Sequence, residues 1–405
     1  MITRKLGAAL LASAGICAIG SVSAAAAPKT IEMSDAISGE SAKVPNRFIC
    51  VFEPGSIGKA NVRRRAADAV GPHGGRIIRA YEYAFKGFLV NIPEQAVEVL
   101  MEHNPNIISC EQDEAVSLAP PSGRGPKGGG GGETTTQSDP YGIGMVGGGG
   151  AYTGTNRAWI IDTGIDLDHP DLNVNTALSR NFVDDRAATG EDLNGHGTHV
   201  SGTIAAIDNT QGVIGVAPGA QVVAVRVLDR RGRGYCSTIA DGVEYVAQQF
   251  AAGNARVNDV VNMSLGCPTT EAIDIAVANT AKLGIHFALA AGNDGADANG
   301  SSPARAEELP GSLGRIVTIA ARSASGDTLT SWSNYGANVD WAEPGEGIES
   351  TWKDGGYNTI SGTSMASPHA AGIMLRSGGV IADGGNISSP KDGAVYDLGV
   401  VPSGK

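Results

Sequence analysis

Aromatic residues make up only 5% of the 405-residue chain and charged residues only 18%, so neither a coiled coil nor a highly charged disordered chain fits. No stretch of 18 apolar residues occurs, which excludes a stable transmembrane helix. Basic side chains are in the minority, 30 against 42 acidic, for a net charge of −12, and the acidic excess lies wholly in residues 119–405. A compact acidic body repels phosphate backbones and anionic lipid, so no nucleic acid or membrane partner is expected. What is abundant is glycine, 58 residues, about twice the usual share. Turns and close backbone approaches are expected to be frequent. Hydrophobic residues at 41% indicate a folded protein, and the length suffices for two domains.

The first residues are Met1-Ile2-Thr3-Arg4-Lys5, followed by an apolar stretch to Ile19 and small residues to Ala27. This is the pattern of a signal peptide over 1–27, which implies an exported protein. Lipidation of Cys17 is the rival reading, but Ile16 is bulkier than the small residue expected before a lipidated cysteine. With Cys17 removed, Cys50, Cys110, Cys236 and Cys267 form an even set in an oxidising compartment. Four cysteines allow three pairings, and the domain division favours Cys50 with Cys110 and Cys236 with Cys267. Their spacing is too open for a zinc site.

Residues 120–132 are a proline- and glycine-rich stretch that cannot bury apolar surface, and 119–137 reads as a linker. Before it, residues 45–118 read as strand, helix, strand, strand, helix, strand, the split arrangement of a small α+β ferredoxin-like domain. After it, from 138 on, apolar strand candidates at 158–162, 221–228, 259–265 and 285–290 alternate with helical patterns at 196–206, 237–252 and 271–283. This alternation predicts an α/β fold with a parallel sheet covered by helices on both faces, with the chemistry at the carboxyl ends of the strands. The tail after about 377 has no helical pattern, and part of it is expected to be disordered.

Asp162 emerges where the strand Ala158-Trp159-Ile160-Ile161 ends; alone it would be an ordinary turn aspartate. His196 lies in Asn194-Gly195-His196-Gly197-Thr198-His199, where flanking glycines allow close approach to the ring. A metal held by His196 and His199 is disfavoured because no His-Glu-x-x-His pattern is present, and His199 reads as a packed helix residue. Ser364 sits in Gly362-Thr363-Ser364-Met365-Ala366, where a glycine turn runs into a helix, and could be a mere cap. Together the three supply a nucleophile, a base and an acid to orient the base. Asn293, in Ala291-Gly292-Asn293-Asp294, follows another strand and could donate to an oxyanion beside the Ser364 N–H.

In these motifs and their order the chain resembles the subtilisin family of serine proteases, with wording closest to the proteinase K branch. Residues 45–118, closing in Glu111-Gln112-Asp113, similarly resemble that family's inhibitory propeptide. The resemblance implies a secreted serine endopeptidase made as a zymogen. It acts on polypeptides, is inhibited by its own propeptide, needs no cofactor for chemistry and is expected to be a monomer. It places the substrate strand between segments containing Gly232 and Gly234 on one side and Ser264, Leu265 and Gly266 on the other, and a structural calcium at Asp340, where a surface salt bridge is the alternative. From another class, the alternative is a catalytically inactive subtilisin fold used as a binding module.

Overall fold

The computed structural model describes residues 42–118, 136–185, 190–306 and 314–405. The expected signal peptide and all but the last two residues of the expected linker lie outside these.

The first described segment is β1 (Ala42–Phe52), α1 (Val62–Val70), β2 (Arg76–Tyr81), β3 (Gly87–Asn91), α2 (Glu94–His103) and β4 (Ile107–Ser117). Its antiparallel sheet runs β2-β3-β1-β4, the ferredoxin-like order. The two faces separate by the period of two. Phe48, Cys50, Phe52, Phe88 and Val90 turn toward α1 and α2, where Val62, Ala66 and Leu100 complete a core. Ile49, Val51, Leu89 and Tyr81 turn the other way and join the core of the larger part of the chain. Cys50 lies directly across from Cys110 in the β1/β4 ladder, and the two are bonded.

The larger part is built on β5 (Arg157–Asp162), α3 (His196–Ala205), β6 (Gln221–Arg226), β7 (Arg233–Tyr235), α4 (Cys236–Ala251), β8 (Val260–Met263), α5 (Glu271–Ala281), β9 (His286–Ala290), β10 (Ile316–Arg322), β11 (Trp341–Pro344) and α6 (Thr363–Ser377). Strands β11-β10-β9-β8-β5-β6 form a parallel sheet in that order. Alternate residues serve its two faces. Trp159, Ile161, Val223, Val225, Val261, Phe287 and Leu289 pack against α4 and α5. Ala158, Ile160, Val222, Ala224 and Ala288 pack against α3 and α6. Burial on both faces is why these strands read as unbroken apolar runs.

The tail differs from expectation. α6 closes at Gly378, whose φ of 73° is the left-handed conformation of a helix stop. The chain then forms a hairpin, β12 (Ala382–Ser388) and β13 (Val395–Val400), and Trp341 of β11 pairs in parallel with Asp397 of β13. The tail is therefore an ordered extension of the sheet with an antiparallel edge. It is held further by Val401 N–H to Val146 O at 2.9 Å and by Arg376 Nη2 to Lys405 O at 2.8 Å.

Candidate active site

Asp162 is the last residue of β5 and is fully buried; His196 opens α3 and is nearly so. The imidazole Nδ1 lies 2.8 and 3.0 Å from the two Asp162 carboxylate oxygens. Two glycines make this approach possible. Gly195, at φ 114°, leaves room for the Trp352 ring, and a Cβ on Gly197 would collide with Gly164 O and crowd the Asp162 Cβ. α3 thereby starts hard against the end of β5. Burial acts to lower the His196 pKa. The charge of Asp162, its hydrogen bond and the charge of Asp192 outweigh this and hold it above the usual value near 6.5. His199 is packed, with Nε2 2.9 Å from Ile348 O, and burial pulls its pKa down to about 3, so it stays neutral.

Ser364 lies in the first turn of α6. Pro368 inside this helix has no N–H to give the Ser364 carbonyl. Ser264 Oγ supplies the missing donor at 2.8 Å, and Asn262 and Ser367 continue the network below it. The Ser364 hydroxyl itself donates to Ser264 O at 3.2 Å, and among the described hydrogen bonds none joins it to His196. Asn293 follows β9, and its Oδ1 accepts both the N–H and the hydroxyl of Thr363 at 2.8 and 2.9 Å. That anchor fixes the amide. Asn293 Nδ2 and the Ser364 N each lie 3.6 Å from where a Cβ on Gly362 would stand, so the two donors are close to one another beside Gly362.

Two residues that carry this arrangement were not singled out from sequence. Thr363 positions Asn293. Asp192 accepts from Thr163 Oγ1, the N–H groups of Asn194 and Gly195, and both N–H and hydroxyl of Thr198, tying the end of β5 to the start of α3. The N-cap of α3 is Gly195, so no ordinary capping pattern in the sequence discloses Asp192.

A cavity of about 490 Å³ adjoins Ser364 and Asn293, lined also by Ser264, Leu265, Gly266, Cys267, Ala290 and Asp294 and, from the end of β4 and the residue after it, by Val116, Ser117 and Leu118. β4 pairs antiparallel with β7, Val116 opposite Gly234 and Ser117 opposite Arg233, and the Leu118 N–H reaches Gly232 O at 2.9 Å. Of the two expected walls, the one with Gly232 and Gly234 thus makes a strand ladder; Ser264, Leu265 and Gly266 line the cavity without one among the described residues. The small segment is anchored further back as well. Asp113 accepts the Ser237 N–H at 2.9 Å and its hydroxyl at 2.6 Å, at the start of α4. Glu111 faces the N–H groups of Glu271 and Ala272 at the start of α5. Glu244 accepts the N–H groups of Glu82, Tyr83 and Ala84 at 2.6 to 3.1 Å. Cys236 and Cys267 are bonded, with Cα atoms 5.9 Å apart.

The sequence of residues 159–377 matches the subtilase family. The chain belongs to that family. A subtilisin-like protease of Coccidioides posadasii is 34% identical over 82% of this chain and 81% of its own length. Proteinase T of Parengyodontium album is 39% identical over 66% of this chain and 81% of its own. Subtilisin E of Bacillus subtilis is 34% identical over 84% and 82%. The protein is thus a subtilase, a serine-type endopeptidase of subtilisin-like fold, and subtilases need no cofactor for catalysis. As for calcium, the exposed Asp340 carboxylate takes the Thr318 N–H at 2.7 Å, and among the described residues no three His, Cys, Asp or Glu side chains gather as a metal group. Calcium takes six to eight oxygens, backbone carbonyls among them; residues 307–313, in the loop before β10, lie outside the described residues. No helix among the described residues is long and apolar enough to cross a membrane.

Proposed function

We propose that this subtilase is a secreted endopeptidase made as a self-inhibited zymogen, with Asp162, His196 and Ser364 as its catalytic residues. The observation that carries the reading is the hydrogen-bonded His196–Asp162 pair, together with a cavity lined by Ser364, Asn293 and the end of β4.

In this mechanism the Ser364 hydroxyl turns from Ser264 O toward His196 Nε2, which takes its proton as Oγ attacks the scissile carbonyl. A nucleophile–base hydrogen bond often reaches full strength only once substrate is bound. Asp162, with both oxygens near Nδ1, fixes the tautomer and stabilises the imidazolium. Asn293 Nδ2 and the Ser364 N–H take the oxyanion. His196 then gives its proton to the leaving amine, and water resolves the acyl-enzyme by the same route.

Residues 45–118 act as the inhibitory propeptide. β4 enters the cleft as a substrate strand would, pairing with Gly232 and Gly234, and the first cut falls between Ser117 and Ser138, followed by trimming of the glycine-rich remnant. Residues 1–27 direct export and 138–405 form the catalytic domain, which works as a monomer. The resemblance assigns Asp340 to structural calcium; no step of the chemistry depends on it. Labelling with a fluorophosphonate tests the central assignment. Modification of Ser364, abolished by Ser364→Ala, is the expected result, and a folded protein that never labels after propeptide removal would favour an inactive binding module.

A further inference from the structure

We propose that Asn334 is a positioning residue for the oxyanion donor: it holds the turn that carries Asn293 and acts on catalysis through that amide alone. The inference rests on the protease reading, which makes Asn293 the donor, and adds the residue that sets it. Asn334 is 3% exposed and is not among the residues that line the cavity, so it is not itself a catalytic residue.

The turn after β9 runs Ala291-Gly292-Asn293-Asp294-Gly295-Ala296, and its backbone polar groups find their partners in Asn334. The Asn334 N–H donates to Gly292 O and its Nδ2 to Ala291 O, both at 2.9 Å. On the far side of Asn293, Asn334 Oδ1 accepts the N–H of Asp294 at 2.9 Å and that of Ala296 at 3.0 Å. One residue thus grips the backbone both before and after Asn293. The approach is close: Gly292 has φ 107°, and a Cβ there would collide with Asn334 Nδ2. Asn334 stands in a segment that is fixed in turn. The Ala321 N–H of β10 donates to the Ser333 hydroxyl at 2.9 Å, and the Gly336 N–H donates to the Tyr396 hydroxyl of β13 at 2.8 Å. Thr363 holds the Asn293 side chain and Asn334 holds its backbone, and a donor aimed at a developing oxyanion needs both. Alanine at 334 would deprive Ala291 O and the N–H groups of Asp294 and Ala296 of this partner, and the turn would relax as they find others.

The test is a double-mutant cycle of Asn293→Ala and Asn334→Ala in the mature enzyme, with active sites counted by fluorophosphonate labelling carried to completion, so that misfolded molecules do not enter the rates. Asn334→Ala alone should lower kcat by about ten- to a hundredfold with KM within about twofold, since a misplacement of about 1 Å in a catalytic group costs up to about 10² in rate. In the Asn293→Ala background the same change should lower kcat by less than about threefold, because the donor it sets is already gone. If Asn334→Ala does not fold, the isosteric Asn334→Asp, which loses the donor to Ala291 O, is run through the same cycle and should show the same non-additivity. Equal losses in both backgrounds, a defect mainly in KM, or an unchanged kcat would overturn the inference. An Asn293→Ala enzyme with undiminished kcat would instead defeat the oxyanion assignment, and a parent enzyme that cuts no peptide would defeat the protease reading beneath it.

Discussion

The carboxylate of Asp113, in the last strand of the small segment, caps the first turn of α4 through the N–H and hydroxyl of Ser237, a residue 124 positions away. Arg47 of β1 completes the junction, its Nε 2.7 Å from the same carboxylate and its Nη2 2.5 Å from the Ser237 hydroxyl. Two carboxylates at alternate positions of β4, Glu111 and Asp113, thus meet the N-termini of two helices, where the helix dipole favours negative charge. On the zymogen reading proposed above, Asp113 would act on inhibition without touching the nucleophile.

Asp113→Ala should therefore weaken the hold of the separated propeptide on the mature enzyme by about tenfold or more, since a charged hydrogen-bonded acceptor is worth roughly 1.5–3 kcal/mol. The inhibition constant of the added propeptide measures this, and kcat of the mature enzyme, which lacks residue 113, serves as the internal reference.

The pH dependence of that hold has a defined direction. Burial pushes the Asp241 carboxyl up to about 7, opposed by the charge of Arg79, a hydrogen bond from Tyr81 and the charge of Arg47, and reinforced by the charge of Asp113. Once the propeptide leaves and Asp241 returns to water, its pKa falls toward the ordinary carboxylate range. The docked state then holds a proton that the free enzyme has released, so docking is strongest in acid, weakens as pH rises from about 4 through 7 and levels off above. Inhibition constants measured across that range should rise with pH in the parent, and the slope should flatten in Asp241→Asn.

For catalysis the sign is opposite. His196 must be neutral to accept the Ser364 proton, and its pKa is raised. Activity should fall as pH drops, with an acid limb in kcat/KM above the usual histidine value near 6.5. Asp162→Asn removes the charge that does most to raise it, and should shift the limb downward along with a large loss of turnover.

Asn293→Ala should lower kcat by about 10² to 10³ with little change in KM, a magnitude taken over from subtilisin. Thr363→Val, which removes one of the two groups anchoring the Asn293 amide, should give a smaller loss of the same kind. A defect mainly in KM for either variant would assign the amide to substrate positioning.

Much of this site was legible because its chemistry sits in short contiguous motifs. Asp162 ends a strand, Asn293 follows one, and His196 and Ser364 stand in the first turns of helices; the apolar runs that mark those strands are unbroken because both faces are covered. The hairpin of the tail was not legible. β12 reads Ala-Asp-Gly-Gly-Asn-Ile-Ser and is largely exposed, with neither alternation nor a run of branched residues, and it is ordered by β13, which in turn pairs with β11. The trans capping by Asp113 and the three N–H groups gathered by Glu244 were hidden for a similar reason: each depends on partners more than 100 residues distant, which no local pattern encodes.

The central claim is that this chain cuts itself with Ser364. The full-length Ser364→Ala protein, purified free of other proteases, should fold and remain a single chain with 45–118 still joined to 138–405, since loss of the serine in subtilisin lowers turnover about 10⁶-fold. The parent protein, prepared alongside, should mature to an N-terminus between residues 118 and 138. Normal processing of the Ser364→Ala protein, or a parent N-terminus upstream of Pro45 or downstream of Tyr152, would contradict the account.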